Sequence, residues 1–386
     1  MKRFIFGSIL RKLPLFIILT VVFSSIAIFS ASNVDFIIRR DYYVTIYGDP
    51  GFTFLVVFFF IIMTILPLFS MNYRYSLAKA DMFKQAAFKD KSIRYAEHLS
   101  TLIVTLIGFT FAYLVFVGLL AFRNYTTTIP QNGYYNNPDN PPIVWYLQYV
   151  YFLPLYFVTV IFGVAQYFIS YLFVSRSNCV RNSIIILIMG ELVLFALPTL
   201  LASFVKESCH PYTFIAYTGA SPALPMISTV EVFNFAIGSG GNYFEYYRDL
   251  TGEDMNSFTL FMFIFNYLIY IGMTVLGIIA FTKEKDPSGE FAGKSLTKKP
   301  FQEIIFHAGF ALFGTFISSM MIRSNIISYL LFLVFFLAAY YPLYGTLIRN
   351  FKLKPWQILV MAGVVLFMVT VSASNNVVRN YYDGIY

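Results

Sequence analysis

Residues 101–122 read TLIVTLIGFTFAYLVFVGLLAF, 22 positions without a charged side chain, bounded by Arg94, Glu97 and His98 on one side and Arg123 on the other. At 1.5 Å per residue this stretch makes a helix of about 33 Å, close to the thickness of a bilayer's hydrocarbon core. A surface helix of a soluble protein keeps one polar face, and this one has none. Lipid is therefore its solvent, because only a helix or a closed barrel satisfies its own backbone there.

The same pattern recurs along the 386 residues, and nine spans are expected: Pro14–Ser30, Phe52–Phe69, Thr101–Phe122, Val144–Val174, Ser183–Val205, Phe258–Phe281, Ile304–Met321, Ile326–Ile348 and Trp356–Asn375. The fourth is long enough to tilt, to kink at Pro154 or to extend past the bilayer. Composition agrees. Hydrophobic residues make up 58% of the chain and charged ones 12%, half the roughly 25% of a soluble domain. Mean hydropathy is +0.69. The expected fold class is an all-α polytopic membrane protein.

The basic residues set orientation, since Lys and Arg resist translocation. With the N-terminus inside, successive cytoplasmic segments hold 4, 6, 2, 5 and 3 of them, and the external segments together hold 7. An odd number of spans then puts the C-terminal tail, with Arg379 and Asp383, outside. The net charge of +8 is dispersed among these loops, which argues against nucleic acid as a partner. The basic start before the first span also suits a signal peptide, but no small-x-small cleavage site follows, so that span reads as an uncleaved helix. The two cysteines, Cys179 and Cys209, fall on opposite sides of the membrane, and no internal disulfide is expected.

Three loops stand out. Residues 71–100 and 282–301 are cytoplasmic and basic, while 206–257 is external and carries six acids, Glu207, Glu231, Glu245, Asp249, Glu253 and Asp254. Within the external loop, Pro211 to Ile237 holds apolar pieces too short to span, which suit short helices at the external mouth or a plain cap. Within the first cytoplasmic loop, Tyr75–Ser92 (YSLAKADMFKQAAFKDKS) places Leu77, Ala80, Phe83 and Ala87 on one stripe and predicts a short amphipathic helix. Two uses stay open for it. It can lie on anionic lipid headgroups, or it can dock into a cytoplasmic partner with Phe83 as an anchor.

Catalysis has no evident home. No Ser-His-Asp order, HExxH or CxxC occurs, and Gly289–Ser295 (GEFAGKS) is one residue short of a phosphate loop and lacks a preceding strand. Glu303 and His307 share a helix face at i, i+4, but His98 and His210 lie far along the chain, so an interfacial hydrogen bond is the reading rather than a metal site. Gln148 and Gln166 read as interhelical hydrogen bonds. Glu191 is the one acid deep inside a span, where a lone charge costs at least about 2.5 kcal/mol. It is the intramembrane polar candidate, either as a coupling proton site or contact for a cationic substrate, or as a hydrogen-bonded lock between helices. No catalytic, cofactor or metal residue is assigned.

The order of the loops resembles the permease subunits of type-2 ABC exporters, in particular a subgroup common in Gram-positive bacteria. Its loop after the second span reads roughly Tyr-x-x-x-x-x-Lys-x-x-Asp-x-Tyr/Phe-His-x-Leu-Pro-x-Lys. This chain has Tyr73-Arg74-Tyr75, then Lys79, Asp81, Phe83 and Lys89 or Lys91 in similar order, with Lys84 to Phe88 where the family has His-x-Leu-Pro. After the sixth span, Lys283 to Gly289 and Lys298-Lys299-Pro300-Phe301 parallel the family's Lys-Ser-Glu-x-Ala-Gly run and its Phe- and Pro-containing sequel.

The resemblance implies a six-span permease core over 1–281, joined by the basic loop 282–301 to three additional spans and an external tail over 302–386. It implies export of a hydrophobic or amphipathic peptide, lipid or drug across a bacterial cytoplasmic membrane, with no enzyme activity in this chain. A separate cytoplasmic ATPase subunit would bind the ATP and Mg, and a second permease, identical or related, would complete the pathway. Carried over to this chain, the coupling helix that meets the ATPase contains Lys79, Asp81, Phe83 and Lys84. Two other classes remain in view, an ion-coupled secondary transporter using Glu191 and a non-transporting membrane scaffold. The halves of the chain show no internal repeat of the kind many secondary transporters carry.

Overall fold

The computed structural model describes residues 2–32, 36–38, 44–46, 50–72, 75, 90–128, 152–177, 179–205, 257–283, 299–321, 326–348 and 350–382. These form helices α1 (Lys2–Arg11), α2 (Leu13–Ser32), α3 (Pro50–Ser70), α4 (Asp90–Thr128), α5 (Phe152–Val174), α6 (Val180–Val205), α7 (Ser257–Lys283), α8 (Lys299–Met321), α9 (Ile326–Ile348) and α10 (Pro355–Tyr382). A small antiparallel hairpin pairs β1 (Phe36–Ile38) with β2 (Val44–Ile46), with Phe36 opposite Ile46 and Ile38 opposite Val44.

Among the described residues, eight helices are long and apolar enough to cross a membrane: α2 and α4 to α10. The protein is therefore a multi-pass helical membrane protein. The expected second span lies in α3, whose apolar part Phe54–Ser70 is shorter than the others. Pro154 produces no kink within the helix, because α5 starts at Phe152 and the proline falls in the first turn, where its missing N–H costs no intrahelical bond. Residues 144–151 lie outside the described residues, as do Gln148 and Cys209.

The chain divides into two compact units. The first comprises Met1–Leu66, Lys91–Tyr167 and Met226–Asn256; the second comprises Pro67–Asp90, Phe168–Pro225 and Ser257–Tyr386.

In the first unit the core is aromatic. Phe23 of α2, Phe59 of α3 and Phe109 of α4 are fully buried. Phe59 and Phe109 stack with centroids 3.9 Å apart, and Phe23 meets Phe109 edge-on at 5.9 Å. Gly163 of α5 lets the Phe59 ring in, since a Cβ there would lie 2.3 Å from it. Polar side chains tie the same helices together. Gln166 donates to Thr64 Oγ1 at 3.1 Å, the interhelical bond expected of it, and Tyr113 donates to the Phe152 carbonyl at 2.6 Å. Such bonds keep hydroxyl and amide groups satisfied where water is absent.

In the second unit α8 is the hub, packed on α6, α9 and α10. Phe310 of α8 stacks on Tyr340 of α9 at 4.4 Å, and Phe306 lies parallel to Tyr340 and Tyr344 at 5.8 and 5.5 Å. Gly309 approaches the Met189 backbone of α6, and Gly314 accommodates Phe336 and Met368. Small residues at helix crossings are what brings membrane helices together when no hydrophobic effect drives them.

Candidate functional site

Glu191 sits in the middle of the apolar part of α6, and the local packing explains its surroundings. Immediately before it, Gly190 faces the ring of Phe173 of α5; a Cβ at 190 would stand 2.7 Å from three ring atoms. The missing side chain lets α5 and α6 close on one another, and one turn earlier on α5 lies Ser170, which is fully buried. Its Oγ donates to Glu191 Oε1 at 3.3 Å, a long hydrogen bond. Glu191 itself is half-buried. A carboxyl group beside a serine hydroxyl accepts a hydrogen bond when ionised and can donate one when protonated.

A second cluster occupies one end of α8 and α9. His307 Nδ1 and the Tyr340 hydroxyl are 2.6 Å apart, and the His307 ring lies 4.8 Å from that of Tyr344. Glu303, one turn away on α8, faces the Tyr344 hydroxyl, which also accepts from Gln357 Nε2 at 3.1 Å. Glu303 and His307 share a helix face, as their spacing suggested, and both meet tyrosine hydroxyls of α9. Among the described residues no group of three or more His, Cys, Asp and Glu is arranged to hold a metal ion.

A third cluster was not foreseen. Glu97 near the start of α4 holds the junction of α1 and α2: Arg11 Nη2 is 3.0 Å from Oε1, Lys12 Nζ is 3.1 Å from Oε2, and Ser8 Oγ donates to Oε1 at 2.7 Å. Lys12 also donates to the Glu97 carbonyl and to Thr101 Oγ1. Burial lowers the Lys12 pKa below 10.5, and the neighbouring Glu97 carboxylate partly offsets this. The clue available in the sequence was charge sign alone: two cations before one apolar span and an acid before another. A buried pair also joins His98 of α4 to the hydroxyl of Tyr167 of α5.

Lys79, Asp81, Phe83 and Lys84, the residues of the expected coupling helix, lie outside the described residues, as does the acidic external loop up to residue 256. No family model, no curated protein and no solved structure matches this chain.

Proposed function

We propose that this multi-pass protein is the permease subunit of an ATP-driven exporter of the type-2 ABC class. It moves a hydrophobic or amphipathic peptide, lipid or drug across a bacterial cytoplasmic membrane, with its N-terminus inside and its C-terminus outside. It crosses nine times, α3 included, since 21 residues make a helix of about 31 Å. A separate ATPase subunit supplies the work, and a second permease completes the path. The observation that carries this reading is the ordered set Tyr73, Tyr75, Lys79, Asp81 and Phe83, in a cytoplasmic loop joining two apolar helices. The physical logic is that a permease without its own ATP site must receive work through a contact that moves when ATP closes its partner, tipping a bistable membrane bundle.

A second reading has its own observation. The Glu191 carboxylate beside the Ser170 hydroxyl suits a proton-coupled carrier that needs no ATPase.

One experiment separates the two. The tagged chain is purified from its native membrane in mild detergent, its bound proteins are identified by mass spectrometry, and ATP hydrolysis is assayed. A stoichiometric ATP-binding subunit, lost on Phe83→Asp while insertion and folding persist, is the expected result. A chain that emerges alone, folded and without ATPase activity refutes the exporter reading. In that case Glu191→Gln should abolish pH-driven uptake into vesicles.

A further inference from the structure

Between α9 and α10 runs an open groove of about 780 Å³, bounded by Leu337 and Tyr341 of α9, by the α10 face from Ile358 through Ala362 to Val369, and at one end by Leu353 of the connecting loop. Its lining is apolar except for the Tyr341 hydroxyl, which is already committed as a donor to the Phe351 carbonyl at 2.7 Å. A polar ligand would find nothing there to bind. From Ile358 to Val369 the groove covers eleven helical steps, about 16 Å, which is close to half of a hydrocarbon core of about 30 Å. That depth is one leaflet.

The end at Leu353 is cationic, and its backbone is ordered. Lys352 and Lys354 flank Leu353, and both are exposed. Their backbone N–H groups are fixed, Lys352 to Asn350 Oδ1 and Lys354 to Gln357 Oε1, each at 2.8 Å. The second bond is half of a capping box, with Lys354 as N-cap, Pro355 at the first helical position and Gln357 at the third. Trp356, 49% exposed, stands beside them, as aromatic residues do at a membrane interface.

An apolar slot one leaflet long that ends at a loop with an ordered backbone and two exposed lysines has the chemistry of one phospholipid. We infer that this groove holds the acyl chain of an anionic phospholipid whose headgroup phosphate is bound by Lys352 and Lys354. A second copy of the chain fits less well. Close approach of another helix needs small residues four apart, and the positions four away from Ala362 and Gly363 are Ile358, Leu359, Leu366 and Phe367.

The test uses the full chain in detergent, with native mass spectrometry in the presence of phosphatidylglycerol or phosphatidylcholine of identical acyl chains. Each basic side chain near an anionic surface is worth roughly five-fold in binding, so the wild type should retain phosphatidylglycerol about thirty-fold better. The double variant K352Q/K354Q should bring the two lipids to parity, and Ala362→Phe, which fills the slot, should lower retention of both. A phosphatidylglycerol carrying a photoreactive group midway along its chain tests the wild type without mutation and should label peptides covering 337–341 and 358–369. Equal retention of the two lipids by the wild type, labelling spread over all lipid-facing helices, or a dimer lost on Ala362→Phe while lipid retention is unchanged would each overturn the inference.

Discussion

Gly277 of α7 makes the closest approach of any described glycine in the second unit, and adding one methyl group there should have a measurable cost. A Cβ at 277 would lie 2.1 Å from the carbonyl oxygen of Phe168 and 2.5 Å from its carbonyl carbon. Ordinary contact begins at 3.4 Å, so the two backbones would have to separate by 3.4 minus 2.1, or 1.3 Å. Backbone cannot rotate out of the way as a side chain can. Separation would also loosen Phe281, which meets Phe168 edge-on at 5.6 Å and Tyr171 at 5.3 Å. Overpacking costs about 1–3 kcal/mol and each aromatic pair contributes about 0.5–1.5, so Gly277→Ala should destabilise by about 3 kcal/mol. The control is on the same helix. A Cβ at Gly272 meets nothing within 4 Å, and Gly272→Ala should stay within about 0.5 kcal/mol of wild type. Thermal unfolding in detergent, followed by the fraction that survives heating as a monodisperse peak, should show a fall of roughly 5 °C or more for the first variant alone. If both variants melt with the wild type, or both lose equally, the close crossing of α5 and α7 is not there.

The Glu97 cluster gives a graded series. Glu97→Gln leaves the Lys12 ammonium, 15% exposed, without its counter-ion and should cost about 3 kcal/mol, whereas Arg11→Ala removes a partner that is 55% exposed and should cost under about 1 kcal/mol; the same melting assay ranks them. Lys12 also makes a pH prediction. Its folded pKa lies below 10.5, so between the two values the unfolded chain binds more protons and stability rises with pH; the difference between wild-type and Lys12→Gln melting curves should change with that sign and flatten above 10.5.

Eight of the nine expected spans were legible because an apolar run of spanning length has few alternatives: Ile326–Ile348 is α9 to the residue, seven others overlap long apolar helices, and the second falls in the shorter apolar part of α3. What failed to show was anything set by helix register. α1 was not separated from α2, since only Lys12 divides two helical stretches. Glu191 announced itself as a charge in lipid, but its partner Ser170 depends on Gly190 admitting Phe173, a fit between two surfaces that no single stretch contains. Lys12 and Glu97 were each counted by sign, yet their pairing joins residues 85 apart. The role of α8 as hub was hidden for the same reason, because an apolar helix is apolar on every face and its pattern does not say which face packs on what.

Hydrogen bonds between helix ends carry information about topology that hydropathy does not. Lys12 and Glu97, at the starts of α2 and α4, are paired, and at their far ends the Arg123 guanidinium donates to the Ala31 carbonyl. The two helices therefore run in the same direction with matched ends. A chain that leaves α2 at one face and enters α4 at the other must cross back in between, and α3 is the apolar helix available among the described residues from 33 to 89. The same parity holds in the second unit. Asn182 at the start of α6 donates to the Leu347 carbonyl at the end of α9, four crossings later, and Gln302 at the start of α8 donates to the Arg176 carbonyl just before α6, two crossings away. Each bond requires an even number of crossings between its ends, and each has one when α7, α8 and α9 all span. With α3 added to the eight long helices, the described residues supply nine apolar helices, the odd number that the proposed arrangement needs if its termini are to lie on opposite faces. Within each stretch this parity is independent of the distribution of Lys and Arg, and it leaves charge the separate task of saying which face is the cytoplasm.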